Sequence, residues 1–194
     1  MDQVELRQEK TYCSLMGWAL AIAVLCSLVW QGVLVLAAYI RLLPANPTLY
    51  YLLALVGYYI AALPLGFRLC RPVPAPPMDR RRLTPRLLGR WLVIGIALMW
   101  VGSLAGSWVN ELVYRIAGLQ PVDTVTETFT MLPAAVTVLG ACVFGPVCEE
   151  LLFRGLLARR LARYGQRPAA LVSALLFALY HANLSQFFYA FALG

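Results

Sequence analysis

Residues 148–155 read Cys-Glu-Glu-Leu-Leu-Phe-Arg-Gly, and they begin where a stretch of 21 residues without a charged side chain, 128–148, ends. A charged side chain inside a bilayer costs about 2.5–3.5 kcal/mol on insertion scales, so such residues usually pair and usually serve a function. Glu150 and Arg154 are four residues apart, which places them on one helix face and predicts an ion pair. Glu149 lies about 100° around the helix and has no such local partner. Its position suits a general base.

The composition is that of a membrane protein. Of the 194 residues, 61% are hydrophobic and 13% are charged, whereas soluble domains are nearer half apolar and a quarter charged. About 20 mostly apolar residues are enough for a membrane-spanning helix. Five stretches of at least 20 residues lack Asp, Glu, Lys and Arg, namely residues 11–40, 42–67, 91–110, 128–148 and 168–194. The sequence therefore predicts an all-α fold, a polytopic transmembrane helical bundle with about five membrane segments.

The net charge of +7 comes from arginines beside the apolar segments. Seven Arg residues lie within residues 68–90 and four within residues 158–168. Clusters of this kind mark cytoplasmic loops, and their natural partner is anionic lipid. We therefore expect an integral, multi-pass protein of the bacterial cell membrane with its N-terminus in the cytoplasm. The lipid bilayer is the expected partner, and nucleic acid is not.

The only histidine, His181, lies in the last apolar stretch. Glu149 precedes Arg159 by ten residues, or roughly 15 Å of helix, and His181 follows Pro168 by 13 residues, or roughly 20 Å. Two antiparallel helices joined by a short loop would bring the carboxylate and the imidazole to a similar depth. Such a pair could activate water for hydrolysis or begin a metal site.

Each of these residues also has a purely structural interpretation. An ion pair such as Glu150–Arg154 needs no chemistry, and a single membrane histidine is more often a hydrogen-bonded packing residue. The odd number of cysteines, five, indicates buried small hydrophobes rather than disulfides. Cys148 beside Glu149 suggests a thiol nucleophile, but no separate base is positioned for it, so this alternative is disfavoured.

Two motifs together resemble a known family. Glu149-Glu150-x-x-x-Arg154, followed by Phe177-x-x-x-His181, is similar to the first two motifs of the CPBP family, the CAAX-protease and bacteriocin-processing membrane endopeptidases, also called the ABI or type II CAAX prenyl protease group. The tail at residues 186–194 resembles the start of the family's third conserved region. The resemblance covers about residues 146–194.

The resemblance implies a membrane-embedded peptidase that hydrolyses a peptide bond in a peptide or a lipidated protein. Glu149 would activate the hydrolytic water, and His181 would orient that water or ligate a metal. Glu150 and Arg154 would hold the helix geometry. A divalent metal such as zinc, with His181 and Glu149 as ligands, and a metal-free glutamate mechanism are both compatible with the family.

The expected organisation is an N-terminal part, residues 1–110, with transmembrane helices and the basic loop at 68–90, and a CPBP-like catalytic region, residues 111–194. The family has a later histidine motif one helix further on, whereas this sequence reaches Gly194 inside an apolar run. We therefore expect the catalytic region to be incomplete at its C-terminal end. The alternative function is a non-catalytic membrane protein, an immunity, scaffolding or transport partner, that uses the same polar pair structurally.

Overall fold

The computed structural model describes residues 2–77, 82, 84–119 and 124–194, and every regular element in these residues is a helix. Four of the helices are long and apolar enough to cross a membrane, and a fifth apolar helix is shorter. The all-α prediction is therefore confirmed. In chain order the helices are α1 (Gln3–Tyr39), α2 (Pro47–Leu69), α3 (Pro85–Ala117), α4 (Thr124–Thr130), α5 (Ala134–Tyr164), α6 (Gln166–Tyr180) and α7 (Leu184–Leu193).

The helix starts follow local capping chemistry. The charge-free stretch begins at residue 11, but α1 already begins at Gln3, because Asp2 and Glu5 form a reciprocal capping box. Asn46 and Thr84 cap α2 and α3 through their side-chain oxygens. Both of these helices have proline as the first residue, where the missing N–H costs nothing.

The chain forms two compact units, and the first consists of residues 1–74 and 123–157. Here α1 packs along α2, with the indole N–H of Trp30 donating to the carbonyl of Leu53 at 2.7 Å. Gly57 has no side chain and leaves room for the Trp30 ring. The core residue Phe153 of α5 is 1% exposed. A Cβ on Gly66 of α2 would lie 3.4 Å from Leu156 of α5 and 3.8 Å from Ala19 of α1, so glycines bring α2 close to both of its neighbours.

The second unit consists of residues 75–122 and 158–194. Its main contact is between α3 and α7. Gly102 and Gly106 are the buried residues of α3, and a Cβ on Gly102 would lie 2.5 Å from the Cα of Tyr189. A Cβ on Gly106 would meet the carbonyl oxygen of Ser185. The GxxxG spacing therefore brings two helix backbones together.

The last apolar stretch, residues 168–194, does not form a single helix. Helix α6 ends at Tyr180 and α7 begins at Leu184. Ala182 lies in the left-handed region with φ 48°, and Asn183 accepts a hydrogen bond from the N–H of Ser185 at 3.0 Å. No proline or glycine marks this break, so the only signal in the sequence is the helix-capping tendency of Asn183.

The basic loop predicted at residues 68–90 is shorter than expected, because α2 ends at Leu69 and α3 begins at Pro85. Arg80 and Arg81 lie outside the described residues. Within the second unit, the Nε–H of Arg159 donates to the carbonyl of Pro76 at 3.2 Å. One arginine of the second basic cluster therefore contacts the first basic loop.

Candidate active site

The ion pair predicted at the end of the apolar stretch is present. Arg154 donates a hydrogen bond from its guanidinium to the Glu150 carboxylate, one turn apart on α5. Their side chains are 41% and 55% exposed. A pair of this kind on a helix surface contributes about 0.3–0.5 kcal/mol in water. The pairing is confirmed, whereas its role as support for a catalytic site stays a prediction.

Glu149 lies in a different environment from its neighbour. It is half-buried, follows the buried Cys148, and interacts electrostatically with the phenol of Tyr59 on α2. This partner lies 90 positions earlier in the sequence, which is why spacing on one helix does not reveal it. The two adjacent carboxylates therefore lie in different environments. One pairs with a cation at the surface, and the other is half-buried near the phenol of Tyr59.

The backbone of α5 is unusually wide on both sides of its central segment. The segments Val138–Phe144 and Glu150–Ala158 are π-helical, and the short α-helical segment between them is Gly145–Glu149. At the first junction a backbone N–H donates to the carbonyl five residues earlier. Pro146 explains this widening, because its ring would clash with the carbonyl four residues back in a regular helix. Such π-helical turns occur frequently at functional sites.

Cys148 is not placed as a reactive thiol. Its side chain is 7% exposed, in the interior of the first unit. Reactive cysteines lie in partly exposed and electropositive surroundings, because the thiolate is the nucleophile. The geometry therefore favours the interpretation of Cys148 as a small packing residue.

His181 lies at the end of a helix, directly after α6. Its Nδ1 is 2.9 Å from the carbonyl oxygen of Phe177, one turn earlier. Because a carbonyl oxygen can only accept, Nδ1 carries the hydrogen, and in the neutral ring Nε2 has the lone pair. The ring also makes edge-to-face contacts with Phe177 and Tyr189, at centroid distances of 4.7 and 6.4 Å. The imidazole is thereby oriented with Nε2 available to a water or a metal.

Glu149 belongs to the first unit and His181 to the second. Their location at a similar depth therefore stays a prediction from helix length. Asn183, three residues from the end of α6, caps α7 and so has a structural role.

The described residues do not supply the donors of a zinc site. Catalytic zinc takes three protein ligands. No group of three His, Cys, Asp or Glu side chains that could hold a metal ion occurs in the described parts of the chain. Glu149 and His181 would provide two donors at most, so we derive no reaction step through a metal.

The sequence matches a family model. Residues 130–194 match the model described as "Type II CAAX prenyl endopeptidase Rce1-like". This range contains both motifs, with Glu149, Glu150, Arg154 and His181. Searches of the curated proteins and of the solved structures found no match. With its apolar helices the chain is an integral membrane protein, and over residues 130–194 it is similar to the type II CAAX prenyl endopeptidases, which supports the resemblance to the CPBP family.

Proposed function

We propose that the protein is an intramembrane endopeptidase in which Glu149 is the general base. The observation that carries this proposal is the difference between the two adjacent carboxylates. Glu150 pairs with Arg154 at the surface, whereas Glu149 is half-buried and interacts with a phenol. A base must accept a proton during the reaction, and a half-buried carboxylate does so more readily than one that is paired with a guanidinium at the surface.

In the proposed reaction, Glu149 takes a proton from water while the water oxygen attacks the carbonyl carbon of the scissile peptide. The carbonyl oxygen becomes the oxyanion of a tetrahedral intermediate. When the C–N bond breaks, the protonated Glu149 returns its proton to the leaving amine, and the other product is a carboxylic acid. The carboxylate thus acts first as a base and then as an acid, which restores the starting state.

His181 is proposed to orient the same water. The hydrogen bond from its Nδ1 to Phe177 supports this role, because it leaves the Nε2 lone pair free to accept a hydrogen bond from water. His181→Ala is expected to lower the rate by about 10²-fold or more, within the range for loss of an acid–base group. Unchanged turnover in His181→Ala would remove His181 from the mechanism and leave Glu149 as the only assigned group.

The proposed substrate is a peptide or a lipidated protein, as the family match suggests. A form that uses a divalent metal such as zinc would need at least one donor besides Glu149 and His181. Treating the active protein with a strong chelator distinguishes this metal-dependent mechanism from the metal-free mechanism. Full activity after prolonged chelation favours the metal-free form, and loss that added zinc restores favours the metal form.

The central test compares two neighbouring substitutions of the same chemistry. Glu149→Gln keeps the side-chain volume and one acceptor oxygen but cannot take a proton, so hydrolysis should fall by about 10²–10⁴-fold. Glu150→Gln is the matched control and should keep its rate within about threefold, because it removes only a surface ion pair. The measurement is cleavage of a lipidated peptide library by the full encoded protein in liposomes.

Two results would contradict the peptidase. Wild-type activity in Glu149→Gln would remove the proposed base. Absence of any cleavage by folded wild-type protein across peptide and lipidated substrates would favour the non-catalytic alternative, an immunity, scaffolding or transport partner.

The proposed orientation has the N-terminus in the cytoplasm. The contact between Arg159 and Pro76 supports a common side for the two basic loops, and arginine-rich loops stay in the cytoplasm. In a cysteine-free background, Pro76→Cys should react with an impermeant maleimide only in inside-out vesicles, and Leu43→Cys only in right-side-out vesicles. The opposite pattern would reverse the orientation.

A further inference from the structure

The side chain of Tyr59 on α2 lies against α5 close to Glu149. It is 8% exposed, and its ring packs edge-to-face on Phe144 with centroids 5.5 Å apart. Its hydroxyl lies 3.9 Å from the position that a Cβ on Gly145 would occupy. The phenol oxygen is therefore located at the surface of α5, one helical turn before Glu149.

The direction of helical side chains brings the carboxylate toward this hydroxyl. Gly145 and Glu149 are the two ends of the α-helical segment in the middle of α5, and residues four apart share one face. Helical side chains tilt toward the N-terminus, so the Glu149 side chain covers the turn that contains Gly145. Gly145 has no side chain to occupy that space. The electrostatic interaction between Tyr59 and Glu149 agrees with this placement.

A phenol has suitable chemistry to hold a general base. A buried tyrosine hydroxyl usually finds a hydrogen-bond partner, and a carboxylate is a strong acceptor. Arginine or lysine in the same place would form an ion pair and oppose protonation of the carboxylate during the reaction. A neutral donor can fix the rotamer through one oxygen and leave the other oxygen to accept a proton from water.

We propose that Tyr59 is a positioning residue for Glu149: its hydroxyl donates a hydrogen bond to the carboxylate and fixes the oxygen that receives the proton from the hydrolytic water. This inference rests on the proposed function of Glu149. Tyr59 does not touch the substrate in this proposal and acts only through the carboxylate. It gives the interior glutamate an orienting partner, as Arg154 does for Glu150 at the surface.

The same helix contains a matched control. Tyr51 lies eight residues before Tyr59, two turns away on the same face of α2. Its hydroxyl lies 2.7 Å from the position of a Cβ on Gly140, and its ring contacts Phe129 with centroids 6.3 Å apart. Tyr51→Phe therefore removes a phenolic hydroxyl from the same α2–α5 interface. That hydroxyl lies against Gly140, which is nine residues before Glu149.

The first experiment compares Tyr59→Phe with Tyr51→Phe in the full encoded protein in liposomes. Tyr59→Phe should lower kcat about 10- to 100-fold, the value for one hydrogen bond to a charged group, with KM unchanged. Tyr51→Phe should keep kcat within about twofold. Equal kcat values in the two variants, or a loss in Tyr59→Phe that is confined to KM, would overturn the inference.

A double substitution tests whether Tyr59 acts through Glu149. In the Glu149→Gln background, Tyr59→Phe should cause no further loss of rate, because residues that act as one unit are not additive. A further loss as large as in the wild type would assign Tyr59 a separate role. If Glu149→Gln keeps full activity, the proposed function fails. If it is inactive while Tyr59→Phe keeps full kcat, only the present inference fails.

An infrared measurement tests the hydrogen bond without turnover. The carboxylate band of Glu149 is the one absent from the spectrum of Glu149→Gln. This band should shift in Tyr59→Phe and stay in place in Tyr51→Phe, because a hydrogen bond alters the carboxylate stretching frequency. An unshifted band in Tyr59→Phe would show that the hydroxyl does not bind the carboxylate, whatever the activity of the protein.

Discussion

Helices α3 and α5 have nearly the same length, 33 and 31 residues, but they are built differently. Helix α3 is regular from Pro85 to Ala117, and its two buried glycines approach the backbone of α7. Helix α5 contains two π-helical segments and a proline, and it carries Glu149 between those segments. The regular helix supplies packing, whereas the irregular helix presents the carboxylates.

The difference shows how one chain can separate stability from chemistry. A regular helix forms all of its internal backbone hydrogen bonds and buries only a narrow face. Its glycines are therefore important because the backbone of a neighbouring helix packs against them. A π-helical turn loses regular hydrogen bonding and changes the direction of the side chains that follow. The energetic cost of a π-helical turn is retained where the altered side-chain direction serves a function. Substitutions in α3 should therefore affect folding, and substitutions near the irregular turns of α5 should affect activity.

The largest expected effect is on α3. Replacing both Gly102 and Gly106 with alanine places methyl groups against the backbones of Tyr189 and Ser185. Helices α3 and α7 must then separate, at a cost of about 1–3 kcal/mol for each overpacked position. The melting temperature in detergent should fall and protease sensitivity near α7 should rise.

The matched control for this change is Gly89→Ala on the same helix, where no neighbouring heavy atom lies within 4 Å of the added Cβ. It should leave stability unchanged or raise it by up to about 1 kcal/mol, because alanine favours helix more than glycine does. Equal destabilisation by Gly89→Ala and by the double substitution would mean that glycine content, and not backbone contact, explains the behaviour of α3.

A smaller effect, with opposite signs for stability and activity, is expected on α5. Pro146→Ala restores a backbone N–H and removes the ring that widens the helix. The first π-helical segment should become more regular, and Glu149 should move relative to Tyr59. We expect a higher melting temperature and about 10²-fold lower kcat, since a displacement of about 1 Å can have that effect. A variant that gains stability and keeps full activity would contradict the functional role of the π-helical turns.

The smallest expected effect concerns the surface ion pair. Glu150→Gln should lower the free energy of unfolding by only about 0.3–0.5 kcal/mol, because Glu150 and Arg154 are both exposed side chains. A buried pair would cost about 3–5 kcal/mol when one partner is lost. Comparing the melting temperatures of Glu150→Gln and Arg154→Gln distinguishes these cases, and a large drop in both would indicate that the pair is buried in the membrane-embedded protein.

The candidate site was only partly predictable from sequence. The Glu150–Arg154 pair follows from spacing along one helix, and the two motifs are sufficient to indicate the family. The environment of Glu149 was not predictable from the sequence, because Tyr59 is one of several tyrosines in α2 and no local pattern distinguishes it. The orientation of His181 also required the structure, since it depends on α6 ending at Tyr180.

The sequence by itself determined the all-α class, four of the five apolar segments as long helices and the positions of the charged residues, because these depend on composition and on spacing along a single helix. The tertiary structure decided which carboxylate is half-buried, which tyrosine lies beside it, and where the last apolar stretch divides into two helices. These features depend on contacts between residues that are distant in the chain, or on a turn at Ala182 whose left-handed backbone no local residue preference favours.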